Sequence, residues 1–147
     1  MADLTRIARI ATDEVDLAGV LASVDDPGHG AVASFVGQVR DHDPEAGGRV
    51  VALRYTCHPD APRLVVEIVE RVLRDLDPQG EASVHAVHRV GDLEVGDLAL
   101  VVAVGTAHRD LAFTICRAIV EAVKHELPVW KQQFEADGTH AWSGLSC

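Results

Sequence analysis

The chain has 147 residues, 48% of them hydrophobic, and a formal charge of -10 from 13 Lys and Arg against 23 Asp and Glu. That length and apolar content fit one domain, residues 1–147, with a proper core. The acidic balance excludes a general nucleic-acid or anionic-membrane surface, since both need clustered cations to displace counterions.

No apolar run approaches the roughly 20 residues of a membrane span, and no basic-then-apolar leader is present, so the cytoplasm is the expected compartment. Residues 6–11 are short and β-tolerant, and 16–24 predict a brief helix before the turn-rich stretch from Asp25 to Gly30. Residues 31–40, AVASFVGQVR, predict a strand with Ala31, Ala33, Phe35, Gly37 and Val39 on one side and Val32, Ser34, Val36, Gln38 and Arg40 on the other. Gln38 and Arg40 then leave the sheet together. The polar loop after them, DHDPEAGGR, contains Pro44, Gly47 and Gly48 and is either a lid over Arg40 or a long hairpin connection.

Residues 50–56 predict another strand, and Asp60 with Pro62 marks a helix start, the aspartate as N-cap and the proline in the first turn. Leu64, Val65, Ile68, Val69, Val72 and Leu76 recur at helical spacing up to Pro78 and Gly80. Residues 82–90 and 98–104 predict neighbouring strands joined by GDLEVGD. Gly105 breaks the apolar run, and a helix follows to Glu126 with Ala112, Ile115, Ile119 and Val123 on its core face, widened by Leu111, Ala118 and Ala122. Asp110, Thr114, Arg117, Glu121 and Lys124 line the opposite face, so Lys124 taken alone reads as a solvated surface lysine. Pro128 forces the chain out of helix. Residues 129–134 and 139–142 flank Asp137-Gly138, a strong hairpin-turn dipeptide, which sets Lys131 and Gln133 on one side of a terminal hairpin. Strands and helices without sustained βαβ alternation predict an α+β domain, with a mixed, mainly antiparallel sheet and two main packed helices.

The chemistry-bearing residues are sparse. Cys57, Cys116 and Cys147 are scattered, so neither a disulfide framework nor a CxxC knuckle is indicated. His85 and His88 are three apart in a strand, which points them to opposite faces, and no HExxH occurs, so no metal site is expected. There is no GxGxxG after a strand, no Walker loop and no GxSxG elbow. The cations, by contrast, gather at element ends: Arg40 at a strand end, His108 and Arg109 after the strand-to-helix break, Lys124 and Lys131 around the turn after the helix. A helix N-terminus with an arginine suits a phosphate or carboxylate, and a partly desolvated lysine serves as base or nucleophile. Arg109 and Lys124 are fifteen residues apart, about 22 Å along a helix, too far to share one small ligand. A dimer that sets the helix start of one chain against the helix end of the other resolves this.

In this order and spacing, FVGQVRDH, GDLEVGD, GTAHRDLAF and VKHELPVWK resemble the large, catalytic subunit of molybdopterin synthase, over nearly the whole chain. The most specific part is AHR followed by a lysine and then by PxWK, whose lysine lies seven residues beyond the first. The resemblance implies an α/β-hammerhead-like fold and a sulfurtransferase of molybdenum cofactor biosynthesis: cyclic pyranopterin monophosphate receives two sulfurs and becomes the dithiolene of molybdopterin. It implies as partner a small ubiquitin-like sulfur carrier whose C-terminal Gly-Gly tail ends in a thiocarboxylate, and a heterotetramer built on a central homodimer. No cofactor is implied, since the pterin is substrate.

Residue by residue, the resemblance places Lys124 and Lys131 on the family's two active-site lysines. Phe35, Gln38, Val39, Arg40, His108, Arg109, Lys131, Gln132 and Gln133 fall on its substrate-binding positions. Lys124 is then the general acid/base or the group that engages the partner's acyl carbon, and Lys131 its electrostatic and proton-transfer partner. One departure concerns the tail, where the family places an arginine reaching the neighbouring subunit's pocket; after Trp142 this chain has none, and His140 is the substitute. Two alternatives stand beside this: another phosphate-ester or acyl-transfer enzyme using the same cations, and a non-catalytic module that docks the tail of a protein partner.

Overall fold

The computed structural model describes residues 4–43, 46 and 48–143. In chain order its elements are β1 (Arg6–Ala11), α1 (Leu17–Ser23), β2 (Ala31–Gln38), β3 (Val50–Cys57), α2 (Ala61–Leu76), β4 (Ser83–Arg89), β5 (Gly91–Glu94), β6 (Leu98–Thr106), α3 (Arg109–Glu126), β7 (Val129–Glu135) and β8 (His140–Ser143). The strands divide between two four-stranded sheets, ordered β1-β4-β6-β2 and β5-β3-β7-β8. Among the described residues only the β1 to β4 pairing is parallel, so the mainly antiparallel α+β architecture expected from the sequence is what forms.

The two central strands of the first sheet, β4 and β6, are buried on both faces, which explains their near-continuous apolar runs. Val84, Ala86, Val102 and Val104 pack with Val65, Val69, Ile115 and Ile119 of α2 and α3, whereas Val87, Val101 and Ala103 meet Val20 of α1 and Val24 just after it. His85 and His88 do take opposite faces. His85 Nδ1 lies 2.9 Å from Ser23 Oγ on the α1 side, and the His88 ring stands against Tyr55 on the other. Leu53, Tyr55, Leu93 and Val129 of the second sheet join the larger cluster, so the two sheets share one core with α2 and α3.

Three local expectations are corrected. Gly105 does not break the strand, because β6 continues through it to Thr106; its role is steric, since a Cβ there would collide with the Val24 carbonyl oxygen and His29 Nδ1. Asp60 precedes the first residue of α2 but makes no side-chain cap bond. Its backbone is already helical, its carbonyl accepts the N–H groups of Arg63 and Leu64, and its Oδ2 faces Arg63 at 3.4 Å. The GDLEVGD connection contains a strand of its own: β5 pairs with β3 and buries Leu93.

Candidate functional site

Where β2 ends, the register against β6 slips: Gly37 stands opposite Leu100 but Gln38 opposite Leu98. Such a bulge breaks strict alternation and re-aims the residues beyond it, and Gln38, Val39 and Arg40 all line one cavity of about 240 Å³. Phe35, Tyr55, Lys124, Lys131 and Gln133 complete much of its wall. Lys124 comes from the last turn of α3. Lys131 and Gln133 come from the buried side of β7, two residues apart as a strand requires. A larger cleft of about 890 Å³ lies between β1 and α2, at the opposite edge of the first sheet. Of the two arginines in its wall, Arg6 and Arg74, the first is paired with the buried Asp77 at 2.6 Å, and no lysine or histidine is among its lining residues.

The smaller cavity holds the unusual electrostatics. Lys131 Nζ donates to Asp43 Oδ2 at 2.9 Å, with only 8% and 10% of the two side chains exposed, and Arg40 Nη2 stands 4.0 Å from the same oxygen. A buried charge persists only when paired, so each of these two holds the other in place. Lys124 Nζ sits 5.8 Å from the centroid of the Phe35 ring, within cation–π range. Behind the wall, His88 and Tyr55 meet edge to face, 5.2 Å between centroids and 81° between planes. Burial first, with the charge of Lys124 adding and the Arg89 carbonyl opposing, pushes the His88 pKa down to about 4. His88 is therefore neutral near pH 7, and its Nδ1–H donates to the Arg89 carbonyl at 2.8 Å.

Of the residues singled out from the sequence, Phe35, Gln38, Val39, Arg40, Lys124, Lys131 and Gln133 meet at this cavity. Lys124 is partly buried against Phe35 rather than fully solvated. His108 and Arg109 are not brought there within one chain. They are exposed at the other end of α3, whose 18 residues span about 27 Å. Gln132 faces the opposite side of β7, paired with Trp142 of β8 and Arg54 of β3. His140 is on that outer side too, its ring 6.0 Å from Phe134; residues 144–147 lie outside the described residues.

The loop between β2 and β3 is an inter-sheet crossover, since its strands belong to different sheets. Pro44, Glu45 and Gly47 of it lie outside the described residues, while Asp43 is buried at the cavity. Asp43, Tyr55 and His88 escaped sequence reasoning. An aspartate in a polar loop looks like solvated turn chemistry, and only the i,i+2 position of Tyr55 relative to Leu53 on the buried side of β3 hinted at a second wall. Among the described residues no group of three or more His, Cys, Asp or Glu converges as a metal site, and no helix is long and apolar enough to cross a membrane.

The family model described as MoaE protein matches residues 10–126. The molybdopterin synthase catalytic subunit 1 of Mycobacterium tuberculosis is 35% identical over 136 residues, 92% of this chain and 89% of that protein. In fold, the chain resembles a molybdopterin synthase structure from Staphylococcus aureus, with a TM-score of 0.79 at 24% identity, covering 93% of this chain and 96% of that one. It also resembles a chain from the complex of subunits 1 and 2 of molybdopterin-converting factor of Helicobacter pylori, with a TM-score of 0.69 at 19% identity, covering 92% and 88%. A family match over most of the chain, with a relative so similar over nearly its full length, makes this chain a member of the MoaE protein family, to which the molybdopterin synthase catalytic subunits belong.

Proposed function

We propose that this chain is the catalytic subunit of a molybdopterin synthase, a cytoplasmic sulfurtransferase of molybdenum cofactor biosynthesis. It moves sulfur from the C-terminal thiocarboxylate of a small ubiquitin-like subunit to cyclic pyranopterin monophosphate. One observation carries the proposal beyond family membership: Arg40, Lys124 and Lys131, far apart in sequence, line one cavity. Both reactants are anions, one a phosphate and the other a thiocarboxylate, and three cations against the single carboxylate of Asp43 leave that cavity with an excess of positive charge for them.

Lys124 engages the acyl carbon of the partner's tail or moves the proton, and Lys131 with Arg40 stabilises the negative charge. Phe35, Gln38, Val39 and Gln133 shape the pterin side. No metal or cofactor takes part. At about 240 Å³ the cavity is smaller than the roughly 300–1,000 Å³ usual for small-molecule sites, which supports a site completed by other chains. In a homodimer, His108 and Arg109 of one protomer reach the cavity of the other, with the Lys131 to Gln133 segment beside them. A small subunit at each end makes the heterotetramer, in keeping with the two-subunit complex of the like-folded Helicobacter pylori chain.

The test is reconstitution. The chain is mixed with the thiocarboxylated small subunit and the pterin precursor, and the dithiolene is assayed by mass spectrometry of its derivative. The expected result is stoichiometric conversion, two thiocarboxylates consumed per pterin. Binding of the small subunit with no sulfur reaching the pterin overturns the proposal in favour of a docking module.

A further inference from the structure

We propose that Asp43 is a positioning residue of this site, an internal stand-in for the anionic reactant that holds Lys131 in place until that reactant displaces it. The inference rests on the function proposed above only in naming the reactant; the contact itself is a property of the chain.

A cavity built to receive anions gains nothing obvious from a carboxylate of its own, yet Asp43 has one there, nine-tenths buried. Its Oδ2 accepts from Lys131 Nζ at 2.9 Å and lies 4.0 Å from Arg40 Nη2. One anionic oxygen shared between an ammonium and a guanidinium is the arrangement a phosphate or thiocarboxylate oxygen would make with the same two groups. Asp43 therefore occupies the position the reactant needs. Lys131, with 8% of its side chain exposed, would be unpaired in the empty cavity without it, and an unpaired buried ammonium turns toward solvent or loses its charge.

The backbone around Asp43 suits exchange. Its carbonyl accepts from Ala46 N–H at 3.0 Å, and Asp41 anchors the loop by accepting from Val50 N–H at 2.7 Å. The chain is thus tied at Asp41, while the Asp43 carboxylate meets Lys131 and Arg40 through charged contacts. When a reactant enters that brings its own further contacts along with its negative charge, Lys131 and Arg40 turn to it and the Asp43 carboxylate swings out. The cations stay oriented throughout, at the expense of weaker binding, since each anion must displace one already present.

The test separates binding from turnover. Inorganic phosphate is titrated into the protein and into Asp43→Asn and Asp43→Glu, followed by the amide resonances of Gln38, Arg40 and Gln133. The asparagine variant keeps shape and loses charge, so its phosphate midpoint is expected at least threefold lower than the parent's. Its turnover in the reconstituted reaction is expected about tenfold lower, with a lower KM, because Lys131 is no longer held. Asp43→Glu keeps a carboxylate on the loop and is expected to return both values toward the parent's. An unchanged or higher midpoint in Asp43→Asn, or a glutamate variant that behaves like the asparagine one, overturns the assignment.

Should the asparagine variant not fold, the parent decides: saturating phosphate must move the Asp43 carboxyl carbon resonance, and a resonance that stays put refutes displacement. If the phosphate results hold while the parent forms no dithiolene, the proposed function falls and the role of Asp43 stands.

Discussion

The two ends of α3 carry the same kinds of side chain and have different fates. At its start, His108 and Arg109 stand exposed on a helix terminus. At its finish, the partly buried Lys124 stands over the Phe35 ring of β2 and lines one cavity with Lys131 of β7 and the buried carboxylate of Asp43. What separates a surface charge from a site residue is thus what two remote strands and one loop bring to it. In the proposed dimer, the exposed end joins a site through the second protomer.

Lys124→Ala breaks the comparison most sharply. If the cavity lysine does acid/base work, turnover falls about 10²–10⁴-fold, while affinity for the small subunit, measured by titration calorimetry, stays within about threefold. A fall in affinity with turnover per complex intact would make the cavity end a docking surface.

His88 tests whether the cavity end is as dry as its burial implies. Its pKa in the folded protein, about 4, lies below the ordinary histidine value of 6.5, so the unfolded chain takes up the proton first. Its contribution to stability is complete above pH 6.5 and is lost as pH falls toward 4, about 3 kcal/mol in all. Urea midpoints between pH 7.5 and 4.5 should show this fall, and His88→Asn should remove much of it. The rest belongs partly to His85, whose pKa burial and then Arg9 lower in the same sense. A variant with the parent's full acid slope would show that His88 is not the group responsible.

Arg109→Ala addresses the exposed end. A charge-assisted hydrogen bond contributes about 1.5–3 kcal/mol, so turnover is expected to fall about ten- to a hundredfold. Mixing Arg109→Ala with Lys124→Ala makes the sharper measurement. Dimers that exchange subunits regenerate one intact composite site in half of the molecules, and roughly a quarter of parental activity returns. No recovery, with exchange verified by mass spectrometry, would confine the site to one protomer.

Much of the fold was legible because local pattern and burial agree. The two long helices, the strand carrying Phe35 and the terminal hairpin at Asp137 and Gly138 were all visible in the sequence. β5 was not, because four residues with one buried side chain, Leu93, owe their strand conformation to β3, some forty positions away. Gly105 misled for a related reason. Glycine usually punctuates, but here it remains in the strand so that the chain after α1 can pass close by. At the site, cations were legible by type and by resemblance, and their counter-ion was not. Helical spacing put Lys124 on the polar face, and no local signal shows that it stands over the Phe35 ring at a cavity that Asp43 also lines.

The smallest expected effect sharpens the same contrast from the side of sulfur. Were sulfur carried on a cysteine of this chain, that cysteine would have to be an accessible thiolate near Lys124. Cys116 fails on both counts: burial pushes its pKa up to about 11, and its Sγ lies 3.8 Å from the Val102 carbonyl oxygen, in the core between α3 and β6. Cys57 ends β3 opposite Val129 and is not among the residues lining the cavity, and Cys147 lies outside the described residues. The triple variant Cys57→Ser, Cys116→Ala, Cys147→Ser should therefore turn over within about twofold of the parent and lose about 1 kcal/mol of stability from the methyl-sized gap at Cys116. Loss of sulfur transfer with the melting curve otherwise intact would move the sulfur from the partner's tail onto this chain. The cations at both ends of α3 would then need a different reactant to hold.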